Sequence, residues 1–127
     1  MASIVLDASA ILAHINNEPG SDRAEAHFGD ALISAVNYSE VVAKLAERGA
    51  NLGLIRAALS RYGLQIAAFT EELAELTGAL RPVTKAFGLS LGDRACLALG
   101  QLSGLPVLTA DKSWKDLNLP VEVQLLR

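Results

Sequence analysis

The sequence predicts an α/β domain: a mostly parallel central sheet with helices on both faces. Three observations carry this. Short apolar runs that read as strands alternate with longer segments of helical periodicity. Gly and Pro punctuate the boundaries between them. Of the 127 residues, 51% are hydrophobic and only 20% charged, which suits a packed core in a chain of one-domain length and not a disordered chain. Strands separated by helices imply right-handed crossovers between parallel neighbours.

The elements follow in order. Ser3–Leu6 is a short β-type run ending at Asp7, and Ala8–Asn16 is helical, with Ile11, Leu12 and Ile15 on one face. Pro19-Gly20 breaks it, and Ser21 caps a helix through Phe28. Ala31–Val36 is the second strand. Asn37 is an N-cap candidate, with Glu40 completing a capping box, and the helix Tyr38–Arg48 stops at Gly49. Asn51–Arg61 is helical and Leu64–Ala68 is the third strand. Thr70 opens a helix to about Ala79, Pro82–Phe87 is a separate short helix, and Gly88 ends it. Ser90 and Asp93 repeat the capping-box spacing before an apolar helix, Gly92–Leu102. Val107–Thr109 is a fourth strand, Asp111–Leu117 a helical turn, and Val121–Leu126 a last strand.

Composition excludes several function classes. With one cysteine, Cys96, no intrachain disulfide forms, and His14 and His27 do not sit near it at zinc-ligand spacing. A reducing cytoplasm fits. The N-terminus lacks the basic and long apolar regions of a signal peptide, and no apolar run is long enough to span a bilayer, so neither export nor a membrane partner is expected. Net charge is −3, which is unlike a protein held to nucleic acid by bulk charge.

Four acids share a location. Asp7 follows the first strand, and Asp111 lies two residues past the fourth. Glu40 begins the helix after the second strand, and Asp93 begins the apolar helix that leads to the fourth. In a parallel sheet all four sit at the carboxyl-end rim, where ligands bind. Setting them aside leaves 10 acids against 11 bases, so the acidity is concentrated there. Any one of them alone is explained as a helix-start acid. As a set they would repel one another, and a hard divalent cation, Mg²⁺ or Mn²⁺, relieves that repulsion. Such an ion polarises a phosphoryl oxygen and activates water, without a cysteine or histidine nucleophile.

These residues carry a family resemblance. Ile4-Val5-Leu6-Asp7-Ala8-Ser9-Ala10, Ser34-Ala35-Val36-Asn37-Tyr38-Ser39-Glu40-Val41, Leu89-Ser90-Leu91-Gly92-Asp93-Arg94-Ala95-Cys96-Leu97-Ala98-Leu99 and Val107-Leu108-Thr109-Ala110-Asp111-Lys112-Ser113-Trp114 together resemble the PIN-domain nucleases, most closely the VapC-type toxins of bacterial VapBC toxin–antitoxin pairs. The resemblance spans nearly the whole chain and departs at no acidic position. It implies a three-layer α/β/α PIN domain over residues 1–127. It also implies Mg²⁺- or Mn²⁺-dependent endonucleolytic cleavage of RNA, such as tRNA or rRNA, arresting translation. Asp7 and Asp93 would be principal metal ligands, with Glu40 and Asp111 completing the cluster directly or through water. The implied partners are a small VapB-type antitoxin and a second copy of the chain, in a larger assembly with the antitoxin.

Ser9 and Thr109 adjoin Asp7 and Asp111, where they would hold a metal-bound water or phosphate oxygen, or else cap backbone groups. Arg94 and Lys112 adjoin site acids and would meet RNA phosphates, although surface solvation explains them as well. Trp114 reads as an anchor for the last short helix rather than a base-stacking platform, Cys96 as core, and Asp116 as surface. His14 and His27 have no visible partner. Leu52, Leu54, Ile55, Ala58 and Leu59 fit an antitoxin groove, a dimer face or the core. The competing functions are a PIN-like module that binds RNA or protein without cutting, and phosphoryl transfer through Asp7 as nucleophile. The full acidic set argues against the first. Ser9, standing where a phosphatase needs its second aspartate, argues against the other.

Overall fold

Ile4–Leu6 forms the central strand β1 of the computed structural model, which describes residues 1–127. Its neighbours are β2 (Ala31–Ser34) on one side and β4 (Val107–Thr109) on the other. β3 (Gln65–Ala67) and β5 (Val123–Leu125) are the edges, giving the order β3-β2-β1-β4-β5 with every pairing parallel. The expected strands are thus all present, all but the fourth shorter than predicted, and the sheet is wholly parallel. Parallel ladders need crossovers. α1 (Ala8–Ile15) and α2 (Ser21–Glu25) join β1 to β2, and α3 (Ala35–Glu47) and α4 (Leu52–Ser60) join β2 to β3. α5 (Glu71–Ala79), α6 (Arg81–Thr84), a 3-10 turn and α7 (Leu91–Ser103) return the chain across the sheet to β4. A 3-10 turn at Lys112–Asp116 leads on to β5.

Strand alternation divides the core into two. Ile4 and Leu6 pack with Ile11, Ile33, Val41, Ile55 and Leu59 on the layer of α1 to α4. Val5 packs with Leu73, Cys96, Leu97, Val107 and Trp114 on the layer of α5 and α7. Two helical layers on a parallel sheet make the three-layer α/β/α arrangement. No helix is long and apolar enough to cross a membrane.

Helix starts follow the predicted caps with two exceptions. One is α2, where Gly20 holds the cap position without a side-chain bond, Ser21 is the first helical residue, and the helix ends at Glu25 rather than Phe28. Asn51, Thr70 and Ser90 accept hydrogen bonds from the first-turn amides of α4, α5 and α7. For α3 the cap is Ser34, whose Oγ accepts from the Val36 amide at 3.2 Å. The last residue of β2 does the capping, so the helix starts ahead of Asn37, and Asn37 and Glu40 lie inside it. The expected Asn37–Glu40 capping box does not form. His14, expected to lack a partner, has its Nδ1 3.1 Å from the Tyr62 hydroxyl and its Nε2 3.8 Å from Glu25, and His27 lies 4.0 Å from Asp30. Of the α4 apolar set, Ile55 and Leu59 are core, whereas Leu52 and Leu54 are 57% and 64% exposed.

Candidate active site

Strand order fixes where a site forms. After β3 the chain reverses its progress across the sheet and inserts β4 beside β1, so a crevice opens between the carboxyl ends of these two strands. Asp7 follows β1 there and is 5% exposed. Ser9 Oγ donates to Asp7 Oδ2 at 2.7 Å, and Thr109 Oγ1, at the end of β4, donates to the same oxygen at 2.9 Å. The two hydroxyls are themselves oriented from behind. The Ala110 amide donates to Ser9 Oγ and the Asp111 amide to Thr109 Oγ1. Ser9 and Thr109 therefore both cap backbone amides and hold Asp7.

Glu40 and Asp93 approach from α3 and α7. Asp93 completes the predicted capping box: its Oδ2 accepts from the Ser90 amide at 2.9 Å, and the Asp93 amide donates to Ser90 Oγ. Glu40 Oε1 accepts from Asn37 Nδ2 at 2.8 Å. Asp111 is exposed and caps the last 3-10 turn, its Oδ1 accepting from the amide and hydroxyl of Ser113. Its tie to Asp7 runs through Thr109.

A common pattern emerges. Each of the four carboxylates spends one oxygen on the protein and leaves the other without a protein hydrogen bond: Oδ1 of Asp7 and Asp93, Oε2 of Glu40 and Oδ2 of Asp111. The electrostatics match this geometry. Burial pushes the Asp7 carboxyl up to about 6; the Ser9 and Thr109 hydrogen bonds oppose the rise, and the charges of Asp93 and Glu40 add to it. Glu40 is raised by partial burial and by Asp93, against the Asn37 hydrogen bond. The charges of Glu40 and Asp93 thus reach Asp7, and that of Asp93 reaches Glu40, while Asp111 enters neither.

All-oxygen donors with free lone pairs and mutual repulsion suit a hard divalent cation. No three of these side chains are already drawn together closely enough to hold an ion alone. An ion here would therefore be held through one or two carboxylates and several waters, as Mg²⁺ and Mn²⁺ often are. A concavity of about 490 Å³, lined by Ala35, Val36, Ser39, Glu40, Ala43 and Phe69, opens beside Glu40.

Two flanking residues differ from their expected roles. Arg94 is not a solvated surface cation: its Nη1 donates to the Thr77 carbonyl at 3.0 Å and its Nε is buried without a partner. Asn37, expected to be a helix cap, is fully buried and donates to the Gly92 carbonyl as well as to Glu40. Its position three residues before Glu40, one helical turn away, was the available signal. Lys112 is exposed, and Trp114 and Cys96 are fully buried.

Comparison with known proteins agrees with the fold. Residues 4–119 match the PIN domain family. A toxin–antitoxin complex from Klebsiella pneumoniae contains a chain 25% identical, with a TM-score of 0.73 over 94% of this chain and 99% of that one. A DNA-bound VapBC from Salmonella typhimurium is 19% identical, with a TM-score of 0.74 over all of both chains. VapBC-1 from nontypeable Haemophilus influenzae is 18% identical, with a TM-score of 0.72 over 97% of each. No curated protein matches the chain.

Proposed function

The chain belongs to the PIN domain family, and from that premise we propose that it is the toxin of a type II toxin–antitoxin pair, a divalent-metal-dependent endoribonuclease that arrests translation. The observation that carries this is the acidic rim: four carboxylates, each oriented through one oxygen with the other left free, where β1 and β4 part. Solved toxin–antitoxin complexes of the same fold support the toxin role and a small antitoxin as partner. Assembly with a second copy of the chain belongs to the same proposal.

Asp7 and Asp93 would hold Mg²⁺ or Mn²⁺ most directly, with Glu40 beside them and Asp111 acting through water. Bound there, the ion supplies Lewis acidity toward a phosphoryl oxygen and makes water a competent nucleophile. The chain's own residues do the rest. Ser9 and Thr109 fix the Asp7 carboxylate and favour its charged form. The exposed Lys112 meets RNA phosphates near Asp111. The concavity at Glu40 and Phe69 takes the strand, which enters single-stranded because an A-form duplex hides its bases.

The test is cleavage of RNA by the purified chain with Mg²⁺ or Mn²⁺ against the same reaction in chelator, for the wild type and for Asp7→Asn and Asp93→Asn. Metal-dependent cleavage lost in both folded variants is expected. Cleavage that survives either substitution refutes the catalytic assignment. An absence of any metal-dependent thermal stabilisation would instead favour a non-cutting binding module.

A further inference from the structure

Asn37 is a polar side chain with no contact to solvent, placed between two helices of opposite layers. Its Nδ2 donates to Glu40 Oε1 at 2.8 Å and to the Gly92 carbonyl at 3.0 Å. Both partners are acceptors, so only the amide nitrogen can face them, and the orientation of the side chain is settled by its neighbours. That orientation leaves Asn37 Oδ1 buried with no partner. A buried unpaired carbonyl is a destabilising feature that folded proteins usually avoid, and its retention calls for a reason.

The opposite wall supplies the reason. A Cβ at Gly92 would stand 2.5 Å from Glu40 Oε2 and closer still to Oε1. The Glu40 carboxylate therefore lies flat against the backbone of the first turn of α7, one residue before Asp93, in space that only glycine leaves open. Asn37 pulls on one oxygen while the bare Gly92 backbone admits the whole group. Removing either feature frees Glu40, a flexible and largely exposed side chain, to swing away on three rotatable bonds.

We infer that Asn37 is a positioning residue, which with Gly92 fixes the Glu40 carboxylate beside Asp93 so that its free Oε2 is presented to the divalent cation. This rests on the metal-site reading above. Residues that orient ligands in this way govern metal affinity as well as turnover. The role differs from stabilising the fold, because it acts only through Glu40.

Titration calorimetry of the purified full chain with Mn²⁺ tests it, in a double-mutant cycle of Asn37→Ala and Glu40→Ala. Asn37→Ala is expected to weaken Mn²⁺ binding on the order of 10-fold and to have less than about a twofold effect when Glu40 is already alanine. Gly92→Ala, which leaves Asn37 in place and displaces the carboxylate from the other side, is expected to produce a similar loss. If Asn37→Ala does not fold, Asn37→Leu, which keeps the branched heavy-atom shape and removes the donor, replaces it. Wild-type affinity in the Asn37 variant, or an equal loss with and without Glu40, overturns the inference while leaving the metal site standing. Failure of the wild type to bind Mn²⁺ overturns both.

Discussion

Replacing Asp7 with asparagine should stabilise the metal-free protein at neutral pH. The Asp7 carboxyl is raised from 3.8 to about 6, mainly by burial, so the fold binds its proton more tightly than the unfolded chain does. The stabilisation from that proton is complete below pH 3.8 and is lost as pH rises through about 6. At ~1.36 kcal/mol for each pH unit between 3.8 and about 6, the ionised group carries ~3 kcal/mol of destabilisation at pH 7.5. Asparagine removes the charge and keeps the shape. Its carbonyl accepts from Ser9 and Thr109 as Oδ2 does now, and its amide faces the side where Glu40 and Asp93 add negative potential. Urea unfolding of the wild type and Asp7→Asn in chelator, from pH 4 to pH 7.5, measures the difference. Titrations remote from Asp7 are common to both proteins and cancel, and relief of Glu40 and Asp93 from the Asp7 charge acts in the same direction. The two stabilities should agree near pH 4 and diverge to ~3 kcal/mol in favour of the variant by pH 7.5, equivalent to roughly 10 °C in Tm. Mn²⁺ at a hundred times its Kd should then return ~2.7 kcal/mol to the wild type and nothing to the variant. A difference that does not change with pH, or a variant less stable than the wild type at pH 7.5, would refute the reasoning.

Three further outcomes follow from the same geometry. Thr109→Val removes a donor to Asp7 and the acceptor for the Asp111 amide; it should cost about 1–3 kcal/mol and move the acid limb of the cleavage pH profile upward, which a pH–rate series reads directly. Trp114→Ala empties the largest fully buried side-chain site and should cost about 3–5 kcal/mol in thermal or urea unfolding, and a loss below 1 kcal/mol would contradict its role as an anchor. Arg94→Ala should lower stability by about 1–2 kcal/mol in urea, since its guanidinium bonds to the Thr77 carbonyl, whereas a purely RNA-facing arginine would leave unfolding unchanged and raise only KM.

What the sequence discloses depends on whether the controlling interaction is local. The capping box at Ser90 and Asp93 lies within four residues and was readable; so were Val107–Thr109 as a short buried strand and Trp114 as a core anchor. The shared rim of the acids was readable because a parallel βα pattern forces the carboxyl ends of the strands to one edge. The α3 cap was misplaced because Ser34 and Asn37 are both good cap residues, and the choice between them depends on where β2 ends, which its pairing with β1 and β3 determines. The Asn37–Gly92 bond, the Thr109–Asp7 bond and the Arg94–Thr77 contact join residues far apart in sequence. No local pattern encodes them.

The two explanations first available for each acid, a helix-start group or a metal ligand, turn out not to compete. A carboxylate has two oxygens, and at this rim the protein engages only one of each. The bonded oxygen fixes the direction of the other, so a hydrogen bond that reads as structural orients the free lone pairs. The strength of that orientation ranks the four. Asp7 is buried and doubly held, Asp93 is locked into a helix start, and Glu40 is braced by Asn37 against a glycine backbone. Asp111 is held only by its own turn and lies in solvent. The raised Asp7 carboxyl reflects its burial first, with the charges of Asp93 and Glu40 adding to it, and a cation bound at the rim would offset both. A buried ionised carboxylate gives that gain with or without a metal site, so it is the Mn²⁺ arm of the Asp7→Asn experiment, stabilising the wild type and not the variant, that separates a metal site from four ordinary helix-start acids.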